Sequence, residues 1–188
     1  THLRADQSGC VVCGADNLWS ANQAARCSVC TTGWFTSGGM STTRTSCTPC
    51  PAGSACDGTS VVEECVAGYA AAAGSSECAA CDADDKYADA GASRCSRCPA
   101  GSFTSGGLNV TERTACSLCP AGYACDGTSV QPECAAGTYS PSQGQSGCIP
   151  CPSGTASDAA ATQCAPCLAG KYLPASGGGC VECGADNL

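Results

Sequence analysis

The sequence predicts a fold of small disulfide-rich repeats: an extended rod of short β-hairpins and turns with little or no helix. Three observations lead there. Of 188 residues, 22 are Cys. Only 27 are Val, Ile, Leu, Met, Phe, Trp or Tyr, because most of the 43% counted as hydrophobic is Ala or Cys. The cysteines also recur as a ladder. A chain this poor in large apolar side chains, with net charge −8, buries too little area to offset an ordering cost of about 1.5 kcal/mol per residue. Cross-links or metal must hold it, and a large single-core enzyme domain is not expected.

The elements follow in order. Residues 1–9 form an N-terminal segment containing His2, the single histidine, and nothing in it reads as a signal peptide. Cysteine-rich repeats then fill a first block, 10–81, a second, 82–151, and a partial third, 152–188. Nine C-x-x-C pairs mark them: Cys10/Cys13, Cys27/Cys30, Cys47/Cys50, Cys78/Cys81, Cys95/Cys98, Cys116/Cys119, Cys148/Cys151, Cys164/Cys167 and Cys180/Cys183. Cys56, Cys65, Cys125 and Cys134 stand alone. After most pairs comes x-x-Gly and an aromatic, as in Gly68-Tyr69, Gly122-Tyr123 and Gly170-Lys171-Tyr172. Glycine permits the tight turn, and the aromatic is the one large apolar surface each unit can lay over its bridge. Ala70–Ala73 and Ala159–Ala161 sit in disulfide loops too short for a stable helix.

A longer period lies above this one. Residues Cys30 to Cys65 match Cys98 to Cys134 with a single one-residue insertion, the mark of tandem duplication. The stretch from Cys10 to Leu18 returns as Cys180 to Leu188, differing only at Val12 and Glu182.

If the second Cys of each pair bonds the first of the next, the bridges are Cys13–Cys27, Cys30–Cys47, Cys81–Cys95, Cys98–Cys116, Cys151–Cys164 and Cys167–Cys180. Closing a loop of about 15 residues is worth roughly 3 kcal/mol in the chain-entropy picture. The segments Cys50/Cys56/Cys65/Cys78 and Cys119/Cys125/Cys134/Cys148 each allow three connectivities. The favoured one is Cys50–Cys65 with Cys56–Cys78, and Cys119–Cys134 with Cys125–Cys148. Cys10 and Cys183 are then left open, as positions for cross-links between units of a longer array. Each unit is expected to touch only its immediate neighbours, as in other repeat proteins.

Charge and cysteine usage narrow the function. A sequence pI near 4.3 disfavours nucleic acid and anionic lipid surfaces, and no apolar run is long enough to insert in a membrane. Disulfides persist outside the cell, so the location expected is extracellular, secreted or at the cell surface. Asn109-Val110-Thr111 is an N-glycosylation acceptor, which adds covalently attached glycans.

Chemical sites fare poorly. C-x-x-C, 13 residues, C-x-x-C approaches zinc-ribbon spacing, but nine uniform pairs with one histidine favour disulfides. Redox catalysis needs a thiolate activated at a helix start in a βαβ setting, which is not visible. Neither a G-x-S-x-G nor a Ser-His-Asp set can be assembled. The acidic stretch Asp82, Asp84, Asp85 and Asp89 lacks EF-hand spacing and reads as a solvated loop. No catalytic residue, metal site or cofactor is therefore expected. Cys-Asp-Gly-Thr-Ser at Cys56–Ser60 and Cys125–Ser129 reads as turn chemistry, and Trp19 and Trp34 as covers for disulfides.

The chain resembles the ephrin-receptor-like cysteine-rich repeats, themselves similar to tumour-necrosis-factor-receptor modules. The carrying motifs are Cys98-Pro99-Ala100-Gly101-Ser102-Phe103, Cys119-Pro120-Ala121-Gly122-Tyr123, and Cys134 through Tyr139-Ser140-Pro141 to Cys148-Ile149-Pro150-Cys151-Pro152. It is also similar to periodic-cysteine surface antigens of protists and to components of flagellar hairs. Cys81-Asp82-Ala83-Asp84 and Cys13-Gly14-Ala15-Asp16 depart from the Pro-x-Gly pattern. The function expected is a structural, glycosylated element of a surface coat or polymeric fibril, a filament whose partner is itself, joined end to end. The alternative is a ligand-binding receptor ectodomain or stalk.

Overall fold

The computed structural model describes residues 2–3, 10–22, 24, 26–40, 43–175 and 178–184. Among them, strands of two to four residues pair into nine two-stranded sheets. In chain order these are β1 (His2–Leu3) with β2 (Cys10–Val11), β3 (Leu18–Trp19) with β4 (Ser28–Val29), β5 (Trp34–Ser37) with β6 (Ser46–Pro49), and β7 (Ser54–Ala55) with β8 (Glu63–Glu64). There follow β9 (Tyr69–Ala70) with β10 (Ala79–Ala80), β11 (Lys86–Tyr87) with β12 (Ser96–Arg97), and β13 (Ser102–Ser105) with β14 (Ala115–Leu118). Last come β15 (Thr138–Tyr139) with β16 (Ile149–Pro150) and β17 (Lys171–Tyr172) with β18 (Val181–Glu182). Single antiparallel bridges, Tyr123 to Glu133 and Ala156 to Ala165, hold two further hairpins. The described residues contain no α-helix, only a 3-10 turn at Val110–Glu112. The protein is thus a string of small disulfide-rich hairpins. Two compact units form: residues 1–82, 88–96 and 107–114, and residues 83–87, 97–106 and 115–188.

The C-x-x-C pair supplies the return strand of a hairpin. Ala79–Ala80 lies between Cys78 and Cys81, and Val181–Glu182 between Cys180 and Cys183. In extended chain, residues three apart face opposite sides, so the two cysteines of a pair cannot bond each other. One closes its own hairpin and the other reaches the next. Burial follows this division. Cys30, Cys50, Cys81, Cys98 and Cys119 are at most 3% exposed, whereas Cys47, Cys78, Cys95 and Cys116 are only half-buried.

Ten disulfides join the described cysteines. Cys13–Cys27, Cys30–Cys47, Cys81–Cys95, Cys98–Cys116, Cys151–Cys164 and Cys167–Cys180 follow the ladder. The four-cysteine segments differ from the connectivity favoured above. Cys50 bonds Cys56 and Cys65 bonds Cys78; in the second copy Cys119 bonds Cys125 and Cys134 bonds Cys148. The reason is local. Gly53 takes φ 83° and Ser54 N–H donates to the Pro51 carbonyl at 3.2 Å, turning the chain back until the Cα atoms of Cys50 and Cys56 are 5.7 Å apart. Cys65 is then free for a bridge of separation 13, the same as Cys151–Cys164 and Cys167–Cys180. That shared separation was the overlooked signal.

Hairpins also reach further than the immediate neighbour. In the first unit the Gly53 N–H donates to Ala71 of the next hairpin at 2.7 Å, and Gly91 N–H, one hairpin further on, donates to Cys65 at 2.8 Å. In the second unit Gly122 N–H donates to Ser140 at 3.0 Å and Ala160 N–H to Cys134 at 2.8 Å. A Cβ added at Gly53 would collide with the Gly91 carbonyl, and one at Gly122 with the Ala160 carbonyl, each two hairpins along. The expectation of contact between immediate neighbours alone is therefore corrected. The same cover lies on Gly33 and Gly101, which open the four-residue hairpins and meet the Gly74 and Gly144 carbonyls, so the contact does not depend on strand length.

The core is made of cystines and small residues. Thr104 is 2% exposed and Ser140 fully buried, while Phe35, Tyr69, Tyr87, Phe103 and Tyr139 are only half-buried. The bridges and small residues, not the aromatics, are the interior.

Candidate functional site

The duplicated Cys-Asp-Gly-Thr-Ser turn is the most elaborate polar feature. In the first copy the Thr59 amide and hydroxyl both donate to Asp57 Oδ1, at 2.9 and 2.6 Å, and Val61 N–H donates to Thr59 Oγ1 at 3.2 Å. The second copy repeats this at Asp126 and Thr128, at 3.0 and 2.7 Å. The threonine hydroxyl, and after it the threonine amide, stabilise the charged carboxylate, holding Asp57 and Asp126 below the ordinary aspartate range.

Each turn is gripped by an aspartate from far upstream. Ser60 N–H and Oγ donate to the Asp16 carboxylate at 3.3 and 3.1 Å, and Ser129 N–H and Oγ donate to Asp84 Oδ2 at 3.2 and 2.9 Å. The Asp16 carbonyl accepts from Thr36 Oγ1 at 2.9 Å and the Asp84 carbonyl from Thr104 Oγ1 at 2.7 Å. Arg44, with a side chain 7% exposed, pairs with Asp16. The motif is a clamp that ties three hairpins together. Asp16, Arg44 and the clamping role of Asp84 escaped the sequence reading; the signal was that Cys13-Gly14-Ala15-Asp16 and Cys81-Asp82-Ala83-Asp84 share the 68-residue offset of the duplication.

The other candidates are quickly placed. Within the acidic stretch, Asp84 is committed to Ser129 and Asp85 pairs with Arg97 Nε at 2.5 Å. Among the described residues no three His, Cys, Asp or Glu side chains converge as for a metal ion. Trp19 pairs across from Ser28 and is half-buried; Trp34 pairs across from Pro49 and is 41% exposed. Asn109 is exposed at the tip between β13 and β14. The side chains of His2 and Cys10 lie outside the described residues.

The last hairpins differ from those before them. Gly154 and Gly170 have φ 85° and 86°, like Gly53 and Gly122, and no described residue lies within 4 Å of the position a Cβ would take. Cys183 N–H donates to Gly170 at 2.8 Å, the same closing bond that Cys134 N–H makes to Gly122. Its sulfur is exposed and unbonded.

The family described as tyrosine-protein kinase ephrin type A/B receptor-like matches residues 127–163. That stretch carries the Cys134–Cys148 bridge, hairpin β15–β16 and the start of the next hairpin. The chain is a cysteine-rich repeat protein. No curated protein matches it. The ten disulfides and the receptor-like extracellular repeat of this cysteine-rich protein fit an extracellular or secreted location. No helix among its described residues is long and apolar enough to cross a membrane.

Proposed function

We propose that this chain is a structural, non-enzymatic element of a surface coat or polymeric fibril, whose units associate end to end. The observation that supports this is the repetition itself: Cys30 to Cys65 returns as Cys98 to Cys134, and Cys10 to Leu18 as Cys180 to Leu188. At Gly53 and Gly122 the turn of the next hairpin but one lies on the glycine, which is how one hairpin seats on another. A hairpin of a second unit can seat in the same way, and the return of the Cys10–Leu18 sequence at Cys180–Leu188 supplies the register. Blocks 10–81, 82–151 and 152–188 are successive stretches of one repeating element, preceded by the segment 1–9. Cys10 and Cys183 are the positions where cross-links between units form.

Electron microscopy and sedimentation of the secreted protein test this. Linear assemblies that shorten in Cys183→Ser are expected; particles that remain monomeric at every concentration overturn the reading. A second reading, a ligand-binding receptor ectodomain or stalk, draws on the receptor-like match over residues 127–163. It requires a saturable partner for the monomer, measurable by capture from the cell surface and cross-linking to this stretch.

A further inference from the structure

We infer that Asn109 carries an N-linked glycan and that the tip between β13 and β14 accepts it without losing a contact. The acceptor tripeptide Asn109-Val110-Thr111 spans the entry to the 3-10 turn Val110–Glu112. Asn109 itself is extended, φ −111° and ψ 160°, and its side chain makes no cap bond to the turn. Neighbouring Leu108 is 95% exposed, so the tip opens directly to solvent.

The loop is held by its backbone, which leaves the amide side chain available. Glu112 N–H donates to the Asn109 carbonyl at 3.0 Å and Ala88 N–H to the Arg113 carbonyl at 3.0 Å. The Thr111 carbonyl lies where a Cβ on Gly68 would be. Asn109 Nδ2 makes one exposed hydrogen bond, to Glu112 Oε1 at 3.1 Å. That nitrogen carries two hydrogens. Glycosylation replaces one, and the other can still donate to Glu112.

The reaction balances with a polyprenyl-diphosphate-linked oligosaccharide as donor. The Nδ2–C1 bond forms, the C1–oxygen bond to the diphosphate breaks, the lipid diphosphate leaves, and Nδ2 gives up one proton. The compartment that performs this transfer also forms disulfides, the cross-links on which this chain depends. The first copy has Ser41-Thr42-Thr43 at the matching place, so the modification marks one copy of the duplication and not the other.

The test is peptide mapping of the full chain secreted from eukaryotic cells, with and without peptide N-glycosidase. Asn109 is expected as a glycoform series that collapses on digestion, leaving Asp at 109. Thr111→Ala should lose the glycan and Thr111→Ser should keep it, with the same ten disulfides in both, which separates loss of the acceptor from misfolding. Asn109 found unmodified in secreted, fully disulfide-bonded protein overturns the inference. Either result leaves the filament question to the sedimentation of Cys183→Ser.

Discussion

The two copies of the duplicated segment, Cys30 to Cys65 and Cys98 to Cys134, run the same fold with one residue of difference. In both, the long hairpin has four facing pairs, Trp34 with Pro49 through Ser37 with Ser46 and Ser102 with Leu118 through Ser105 with Ala115. The extra residue lengthens the bridged loop from a separation of 17 to 18 and is absorbed at the tip. There Glu112 completes a 3-10 turn, and Arg113 Nε donates to the Asn109 carbonyl at 3.4 Å. A disulfide-and-backbone frame tolerates change where no later hairpin depends on side-chain identity. The covers differ as well: Gly91 lies over Gly53, but Ala160 lies over Gly122.

Substitutions at the covered glycines should break the comparison most severely. Gly53→Ala and Gly122→Ala each combine a left-handed backbone with collision against a backbone carbonyl, together costing about 3 kcal/mol or more. Gly154→Ala meets no described residue and should cost only the backbone part, about 1 kcal/mol. Chemical denaturation of the three variants measures the difference; equal losses would refute contact with the next hairpin but one.

Paired removal of bridges comes next. Cys65→Ser with Cys78→Ser opens a loop of separation 13 and should cost about 3 kcal/mol, whereas Cys50→Ser with Cys56→Ser, separation 6, should cost about 2 kcal/mol. The second copy should give the same ranking at Cys134/Cys148 and Cys119/Cys125. Partial reduction and peptide mapping verify the pairing itself, and a Cys50–Cys65 peptide would contradict it.

Smaller effects are expected at the two clamps. Asp16→Ala leaves Arg44 buried without its carboxylate; since Asp16 is 43% exposed, screening reduces the loss to about 2 kcal/mol. Removing the Asp84 side chain forfeits at least the Ser129 bonds, about 1 kcal/mol or more. Ala160 has φ 56°, and Ala160→Gly, which makes the second copy's cover like Gly91, should raise stability by about 1 kcal/mol. Thermal melts rank all three.

The finest effect is acid sensitivity. Asp57 and Asp126 are held below the ordinary aspartate range by their threonine hydroxyl and amide bonds. Their contribution is therefore present above the unfolded-state value near pH 4 and is lost as pH falls through the lower folded value. Both copies should lose it over the same interval, and Asp57→Asn should flatten the response of the first copy alone. A pH titration of stability that leaves the wild type and this variant parallel would count against the clamp.

Much of this was legible along the chain. Six bridges lie where one C-x-x-C pair follows another, and the recurring glycine and aromatic marked most hairpins, although those opening at Asp16 and Asp84 lack the glycine and those opening at Gly53 and Gly154 lack the aromatic. The Cys-Asp-Gly-Thr-Ser turn was readable as turn chemistry, since Asp57 bonds a residue only two positions away. The grip of Asp16 on Ser60 spans 44 residues and was not readable, because local spacing says nothing about which hairpin lies beside which.

By itself the sequence determined the class of fold. Twenty-two cysteines among few large apolar residues leave cross-linking as the means of ordering the chain, and tandem repetition makes its units alike. Only the tertiary structure decided how the four-cysteine segments pair and why the glycines recur. Both depend on where the chain returns in space: the left-handed turn at Gly53 sets Cys50 beside Cys56, and the turn two hairpins on brings a carbonyl against the glycine Cα, where no side chain fits.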